Sequence, residues 1–102
     1  MIFTPDFSLE EIKKVHFIGI GGIGMSGIAR LLLAAGFEVS GSDLNDSEIT
    51  RGLAAEGARV FLGHKASNVG CGGIVVVSSA IRPGNPELKR AFGLGLKVVQ
   101  RA

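Results

Sequence analysis

Val15-His16-Phe17-Ile18-Gly19-Ile20-Gly21-Gly22-Ile23-Gly24-Met25-Ser26-Gly27 is the stretch that decides the fold. An apolar run enters a Gly-x-Gly-x-x-Gly turn at Gly19, Gly21 and Gly24, and the turn opens into a helical pattern at Met25. A helix that begins there aims its free backbone N–H groups and the positive end of its dipole at an anion, usually a phosphate. Glycine is required because a Cβ would obstruct the tight turn, the approaching phosphate or the helix–strand contact. The pattern alone is weak evidence. Here it stands between a strand and a helix, and an acid, Asp43, follows about 20 residues after the last glycine, as a dinucleotide fingerprint asks. Nucleotide binding is the leading reading, with Gly21, Gly22, Ile23, Gly24, Met25 and Ser26 around a diphosphate.

Working outward, Ser8-Leu9-Glu10-Glu11 is a capping-box pattern for a short helix ending near Lys14. Val15–Ile20 reads as a first strand, apolar on both faces as a buried parallel strand is. Met25, Ile28, Ala29 and Leu32 form the stripe of a helix that Gly36 ends, and Glu38–Ser42 is a second strand. The unit recurs. Ser47 caps a helix carrying Ile49 and Leu53, Gly57 stops it, and Ala58–Leu62 is a third strand. The link from Gly63 to Val69 has room for one helical turn. Ile74–Val77, the most β-rich run, is expected as a central fourth strand. Asn85 caps a helix with Pro86 at its first position and Leu88, Ala91 and Phe92 as its apolar face. Lys97–Gln100 is a fifth strand.

This alternation predicts an α/β, Rossmann-like doubly wound parallel sheet of five strands in the order 3-2-1-4-5, with helices on both faces. A ligand is then expected over the carboxyl ends of strands one and four, where the strand order reverses. The loops at that edge are Gly19–Gly24, Ser42–Asp46, Gly63–Asn68 and Ser78–Asn85.

The 102 residues are read as a single domain, 1–102, shorter than a full dinucleotide fold of roughly 150 residues. A net charge of +2 on scattered basic residues, with no Trp or Tyr, argues against nucleic acid, and Lys13-Lys14 reads as solvated surface. Cys71 is the only cysteine and is expected to be a small packed residue in a reducing compartment. The apolar span from Val15 to Phe37 is broken by glycines and Arg30, which argues against a membrane helix. Acids precede the first apolar run, which argues against a signal peptide, so a cytoplasmic location is expected.

Asp43 can accept two hydrogen bonds from a ribose diol or shape a turn. Ser78, Ser79 and Ala80 close the fourth strand at the switch point, able to bind a base edge or phosphate or merely to cap the loop. His64 can contact a ligand, whereas His16, inside the first strand, reads as a hydrogen-bonded core histidine. Neither a catalytic constellation nor a metal-ligand spacing emerges. The chain reads as a binder, with catalytic residues: none, and metal: none.

Val15 to Ser26 is also more specific than a generic fingerprint. With Val39-Ser40-Gly41-Ser42-Asp43-Leu44, Gly63-His64 with Asn68, Val75-Val76-Val77-Ser78-Ser79-Ala80-Ile81, Asn85-Pro86-Glu87 and Arg101-Ala102, it resembles the Mur ligase family of peptidoglycan synthesis over roughly residues 14 to 102. The resemblance implies a larger, three-domain ligase using ATP and magnesium to join L-alanine to the lactyl carboxylate of UDP-N-acetylmuramic acid through an acyl phosphate. Its first domain holds the UDP part, so the chain is expected to be that N-terminal domain. Its partners would be UDP-N-acetylmuramic acid and the ATP-binding and C-terminal domains of the same chain. By this resemblance Gly21–Ser26 hold the diphosphate, while Ser42, Asp43 and Ser78–Ala80 face the uridine. A tripeptide-recycling ligase of the family shares much of the pattern but tends to carry Thr in the glycine loop. An NAD-binding domain is what the fingerprint alone would favour.

Overall fold

The computed structural model describes residues 13–101. The helix expected from Ser8 falls outside the described residues, and Lys14, near which it was to end, already opens the first strand. The elements run β1 (Lys14–Ile18), α1 (Ile23–Ala34), β2 (Glu38–Asp43), α2 (Glu48–Ala55), β3 (Arg59–Leu62), a 3-10 turn (Ala66–Asn68), β4 (Ile74–Ser78), α3 (Pro86–Gly93) and β5 (Lys97–Arg101). Strand and helix alternate as the sequence pattern predicts, with ends shifted by one or two residues.

All five strands are parallel in the order β3-β2-β1-β4-β5. β1, not β4, is therefore the middle strand, and the expectation of a central β4 is corrected. A β-branched run reports burial on both faces, which any interior strand has, and β4 lies between β1 and β5.

Local chemistry sets the helix ends. Ser47 and Thr50 form a reciprocal capping box at α2. The Asn85 side chain accepts the N–H groups of Glu87 and Leu88, with Pro86 opening α3 as expected.

Strand alternation splits the core in two. Val15, Phe17 and Val39 pack with Ile20, Met25, Ala29 and Leu53 under α1 and α2. Ile18, Val75 and Val77 pack with Leu88 and Ala91 under α3. The buried stripe of α3 is Glu87, Leu88 and Ala91, whereas Phe92 is 63% exposed, so its assignment to the apolar face is corrected. The third buried residue of α3 is a glutamate, Glu87, which is fully buried. Cys71 is also exposed rather than packed, because it sits in the turn leading to β4 and not in the strand.

One glycine in β2 has no alternative. A Cβ on Gly41 would stand 2.6 Å from Ile20 Cδ1 and 2.8 Å from the Phe17 carbonyl oxygen. The chain leaving β1 folds directly over β2 at this point, and only a bare Cα leaves room.

Candidate nucleotide-binding site

The loop after β1 is stitched to the end of β2. The N–H groups of Gly19 and Ile20 both donate to the Ser42 carbonyl, at 2.8 and 2.9 Å, and the Gly22 N–H donates to the Gly19 carbonyl at 3.2 Å. The Gly21 N–H donates to Asp43 Oδ2 at 2.9 Å. The first helical bond of α1 runs from the Ser26 N–H to the Gly22 carbonyl. The N–H groups of Ile23, Gly24 and Met25 are left without an acceptor among the described residues. The helix carries no side-chain cap and no acid in its first turn, so its positive end is unneutralised by its own residues.

The loop therefore offers an anion only backbone. Met25 and Ser26 are buried, and the Ser26 hydroxyl is donated to the Ile23 carbonyl at 3.1 Å. Gly22, Ile23 and Gly24 are exposed. The Arg101 guanidinium, from the end of β5, lies beside the same turn: a Cβ on Gly24 would be 3.2 Å from its Nη2.

Asp43 faces the α1 side of the sheet. Its Oδ2 takes the Gly21 N–H and its Oδ1 takes the Asn45 N–H at 3.0 Å, so it latches the glycine loop and shapes its own turn. The latch is close: a Cβ on Gly21 would come within 2.8 Å of Oδ2 and 3.0 Å of Thr50 Cγ2. The Ser78–Ile81 turn closes on itself, with Ser78 Oγ accepting the Ala80 N–H at 3.2 Å. Ser79 and Ala80 are exposed beside it.

On the α3 side lies a second polar system, centred on Glu87, which is fully buried. Its Oε1 accepts from His16 Nε2 at 2.6 Å and from Ser42 Oγ at 2.8 Å. Its Oε2 accepts the Lys65 N–H at 3.1 Å and Asn68 Nδ2 at 3.0 Å, with His64 Nδ1 at 3.4 Å. Burial by itself raises the Glu87 pKa, but the hydrogen bonds from His16, Asn68 and Ser42 and the His16 charge outweigh it, leaving the carboxyl below its ordinary value. His16 also pairs with Ser40 Oγ at 2.8 Å, which makes it the hydrogen-bonded core histidine expected. Ser42 is fully buried, with its hydroxyl between Glu87 and His64 Nδ1, the latter at 2.7 Å. It reaches the edge through His64 and not directly.

The glycine loop and Asp43 are thus brought together on one face. Ser42 and His64 join on the other, and Ser78–Ala80 form their own turn at the end of β4. Glu87 is the residue that sequence reading missed as a contributor to the site. A signal existed: a histidine buried in mid-strand needs a polar partner, and Glu87 is the acid that the Asn85–Pro86 cap sets in the first turn of the covering helix. A cavity of about 500 Å³ lined by Lys14, Glu38 and Arg59 opens at the opposite edge, where the strands begin, away from the glycine loop. No group of His, Cys, Asp and Glu able to hold a metal occurs among the described residues, and no helix described is long and apolar enough to cross a membrane.

Residues 14–102 match the Mur ligase family, catalytic domain. The chain is 55% identical over 100 residues to UDP-N-acetylmuramate–L-alanine ligase of Ruegeria pomeroyi, covering 97% of this chain and 22% of that protein. It is 50% identical over 92 residues to the ligase of the same name from Aquifex aeolicus, covering 90% and 20%. Among solved structures, UDP-N-acetylmuramate-alanine ligase from Thermotoga maritima matches with a TM-score of 0.83 and 38% identity, over 86% of this chain and 20% of that one. The UDP-N-acetylmuramate:L-alanyl-gamma-D-glutamyl-meso-diaminopimelate ligase from Neisseria meningitides matches with a TM-score of 0.76 and 31% identity, over 87% and 28%. The chain spans about a fifth of the length of the curated relatives it matches.

Proposed function

The chain belongs to the Mur ligase family, and from that premise we propose that it is the domain that binds the UDP part of UDP-N-acetylmuramic acid in a cytoplasmic, ATP-dependent ligase that adds L-alanine during peptidoglycan synthesis. The observation that carries this reading is the open N-terminus of α1 at the switch point between β1 and β4, with three backbone N–H groups available to a diphosphate. Asp43, with a lone pair still open on each carboxylate oxygen, and His64 then face the nucleoside, with the Ser78–Ala80 turn on the far side of the loop.

The role of such a site is positional. Holding the unreactive UDP end fixes the distant lactyl carboxylate, and binding energy from a remote group lowers the entropic cost of bringing reactants together. ATP and magnesium do not fit the residues present: the chain has no Gly-x-x-x-x-Gly-Lys-Ser/Thr loop, and no clustered acids able to hold a metal occur among the described residues. They belong to the ATP-binding and C-terminal parts of the larger ligase, and this chain alone is catalytically inactive.

The alanine-adding reading is favoured over the tripeptide-recycling one by the 50–55% identity to the curated alanine ligases. An NAD-binding role is disfavoured by the Mur ligase match over residues 14–102 and by the same identities to ligases whose names carry a UDP-sugar substrate. Calorimetric titration with UDP-N-acetylmuramate, UDP and NAD tests the reading. The two uridine ligands are expected to compete for one site and NAD to give no heat; tight NAD binding without a UDP response refutes it.

A further inference from the structure

The hydrogen bonds around Glu87 fix where a proton sits on His64. Ser42 Oγ carries one hydrogen and lies 2.8 Å from Glu87 Oε1 and 2.7 Å from His64 Nδ1. An ionised carboxylate only accepts, so the serine proton points to Oε1, and the contact with the ring is made by a proton on Nδ1. The same Nδ1 lies 3.4 Å from Glu87 Oε2, where a second lone pair would be repelled. The Lys65 N–H and Asn68 Nδ2 on Oε2, and His16 Nε2 on Oε1, keep that carboxylate in place.

In a neutral imidazole, a proton on Nδ1 leaves Nε2 as an acceptor. Nε2 of His64 makes no hydrogen bond within the described residues, yet no buried side-chain nitrogen or oxygen there lacks a partner. Nε2 therefore meets solvent. It does so just after β3, at the edge where the glycine loop and Asp43 also end.

We propose that Glu87, acting through Ser42, is a positioning residue that holds His64 in the Nδ1–H form, so that Nε2 accepts a hydrogen bond from a donor group of the bound nucleotide. The inference rests on the nucleotide reading given above. The donor is an N–H of the base or a ribose hydroxyl. Uracil offers an imide N–H where cytosine offers a bare nitrogen, so an acceptor facing the base would select uridine over cytidine. An acceptor facing the sugar would select ribose over 2′-deoxyribose.

The test has a part that needs no ligand. Long-range ¹H–¹⁵N correlation of the imidazoles, at a pH where the rings are neutral, is expected to show His64 as Nδ1–H, the form free histidine disfavours. In Glu87→Gln the Nε2–H form is expected to become populated. The unaltered chain keeps the idea falsifiable if that variant does not fold: Nε2–H at His64 there overturns it outright. The ligand part uses His64→Asn, whose amide keeps a donor toward Ser42 and removes the outer acceptor. Its UDP affinity is expected to fall roughly three- to tenfold, the worth of one neutral hydrogen bond, without a matching fall in Tm. Discrimination against CDP or against 2′-deoxy-UDP is expected to disappear with it, and the one that does identifies the donor. Unchanged UDP affinity and selectivity in His64→Asn overturns the inference while leaving UDP binding intact. No UDP binding by the unaltered chain overturns the nucleotide reading itself, and this inference with it.

Discussion

Asp43→Ala removes a carboxylate that holds the glycine loop, so it is expected to cost stability as well as affinity. Two N–H groups are affected: Gly21, half-buried against Oδ2, and Asn45, exposed against Oδ1. A hydrogen bond to a charged group contributes about 1.5–3 kcal/mol, but an exposed N–H recovers most of that from water, so about 2 kcal/mol falls mainly on the Gly21 latch. For a domain of this size that corresponds to a Tm lower by about 8–16 °C. The released loop no longer presents its N–H groups together, and UDP affinity is expected to drop about tenfold or more, equivalent to about 1.4 kcal/mol. Asp43→Asn keeps one acceptor oxygen and should lie between the two. Thermal unfolding by circular dichroism and UDP titration on the same samples check this. A Tm within about 2 °C of the parent would refute the latch, and a lowered Tm with unchanged UDP affinity would refute the placement of the diphosphate at this loop.

Other outcomes follow from single contacts. Glu87 has a folded-state pKa below its ordinary value, so the unfolded chain binds more protons around pH 4 to 5 and stability rises with pH there. Its contribution is complete above the ordinary glutamate value and is lost as pH falls through the folded one; Glu87→Gln should flatten the pH dependence of Tm on that acid side, and an unchanged slope would contradict it. Gly41→Ala drives a methyl to 2.6 Å from Ile20 and 2.8 Å from a carbonyl oxygen, and is expected to destabilise by about 1–3 kcal/mol in urea titrations. Gly24→Ala meets only the flexible end of Arg101, at 3.2 Å, so it should leave stability unchanged or raise it by up to about 1 kcal/mol through helix propensity, while weakening UDP binding. Purified chain incubated with ATP and magnesium should release phosphate no faster than buffer; release that tracks the protein through purification would overturn its inactivity alone.

The glycine loop, the strand order and the helix caps were legible because each is a local or periodic signal. Apolar alternation assigns strands, Gly-x-Gly-x-x-Gly marks the turn between β1 and α1, and Ser47 and Asn85 are caps whose partners lie two or three residues away. What was not legible depends on contacts distant in sequence. Asp43 reads as a ribose contact or a turn-former, and its further bond to Gly21 goes unseen because it spans 22 residues and no spacing rule reveals a carboxylate that holds a loop. Phe92 reads as core because it is aromatic and near Leu88. The buried stripe of α3 instead runs through Glu87, Leu88 and Ala91, and the His16–Ser42–Glu87 network beside the apolar cluster is something no composition count reveals. Hydrophobicity predicts where an apolar side chain is welcome, and it is silent on an acid whose burial is offset by donors on three other segments.

Two adjacent residues explain how these halves become one site. Side chains alternate along a strand, so Ser42 turns to the α3 face and Asp43 to the α1 face at the end of β2. One side chain joins the buried carboxylate to His64, and the other latches the loop whose open N–H groups are proposed to hold the diphosphate. The Ser42 carbonyl, between them, takes the N–H groups of Gly19 and Ile20. The position of the loop and the orientation of the histidine are therefore referenced to the same two residues. A shift of β2 that moved Asp43 into the place of Ser42 would set a second carboxylate against Glu87 and leave the Gly21 N–H opposite Leu44. The close approach at Gly41 resists that shift: Ile20 and the Phe17 carbonyl leave no space for a Cβ there, and a slipped register would bring one in. The glycine buried in β2 thus protects the register on which both halves of the proposed nucleotide site depend.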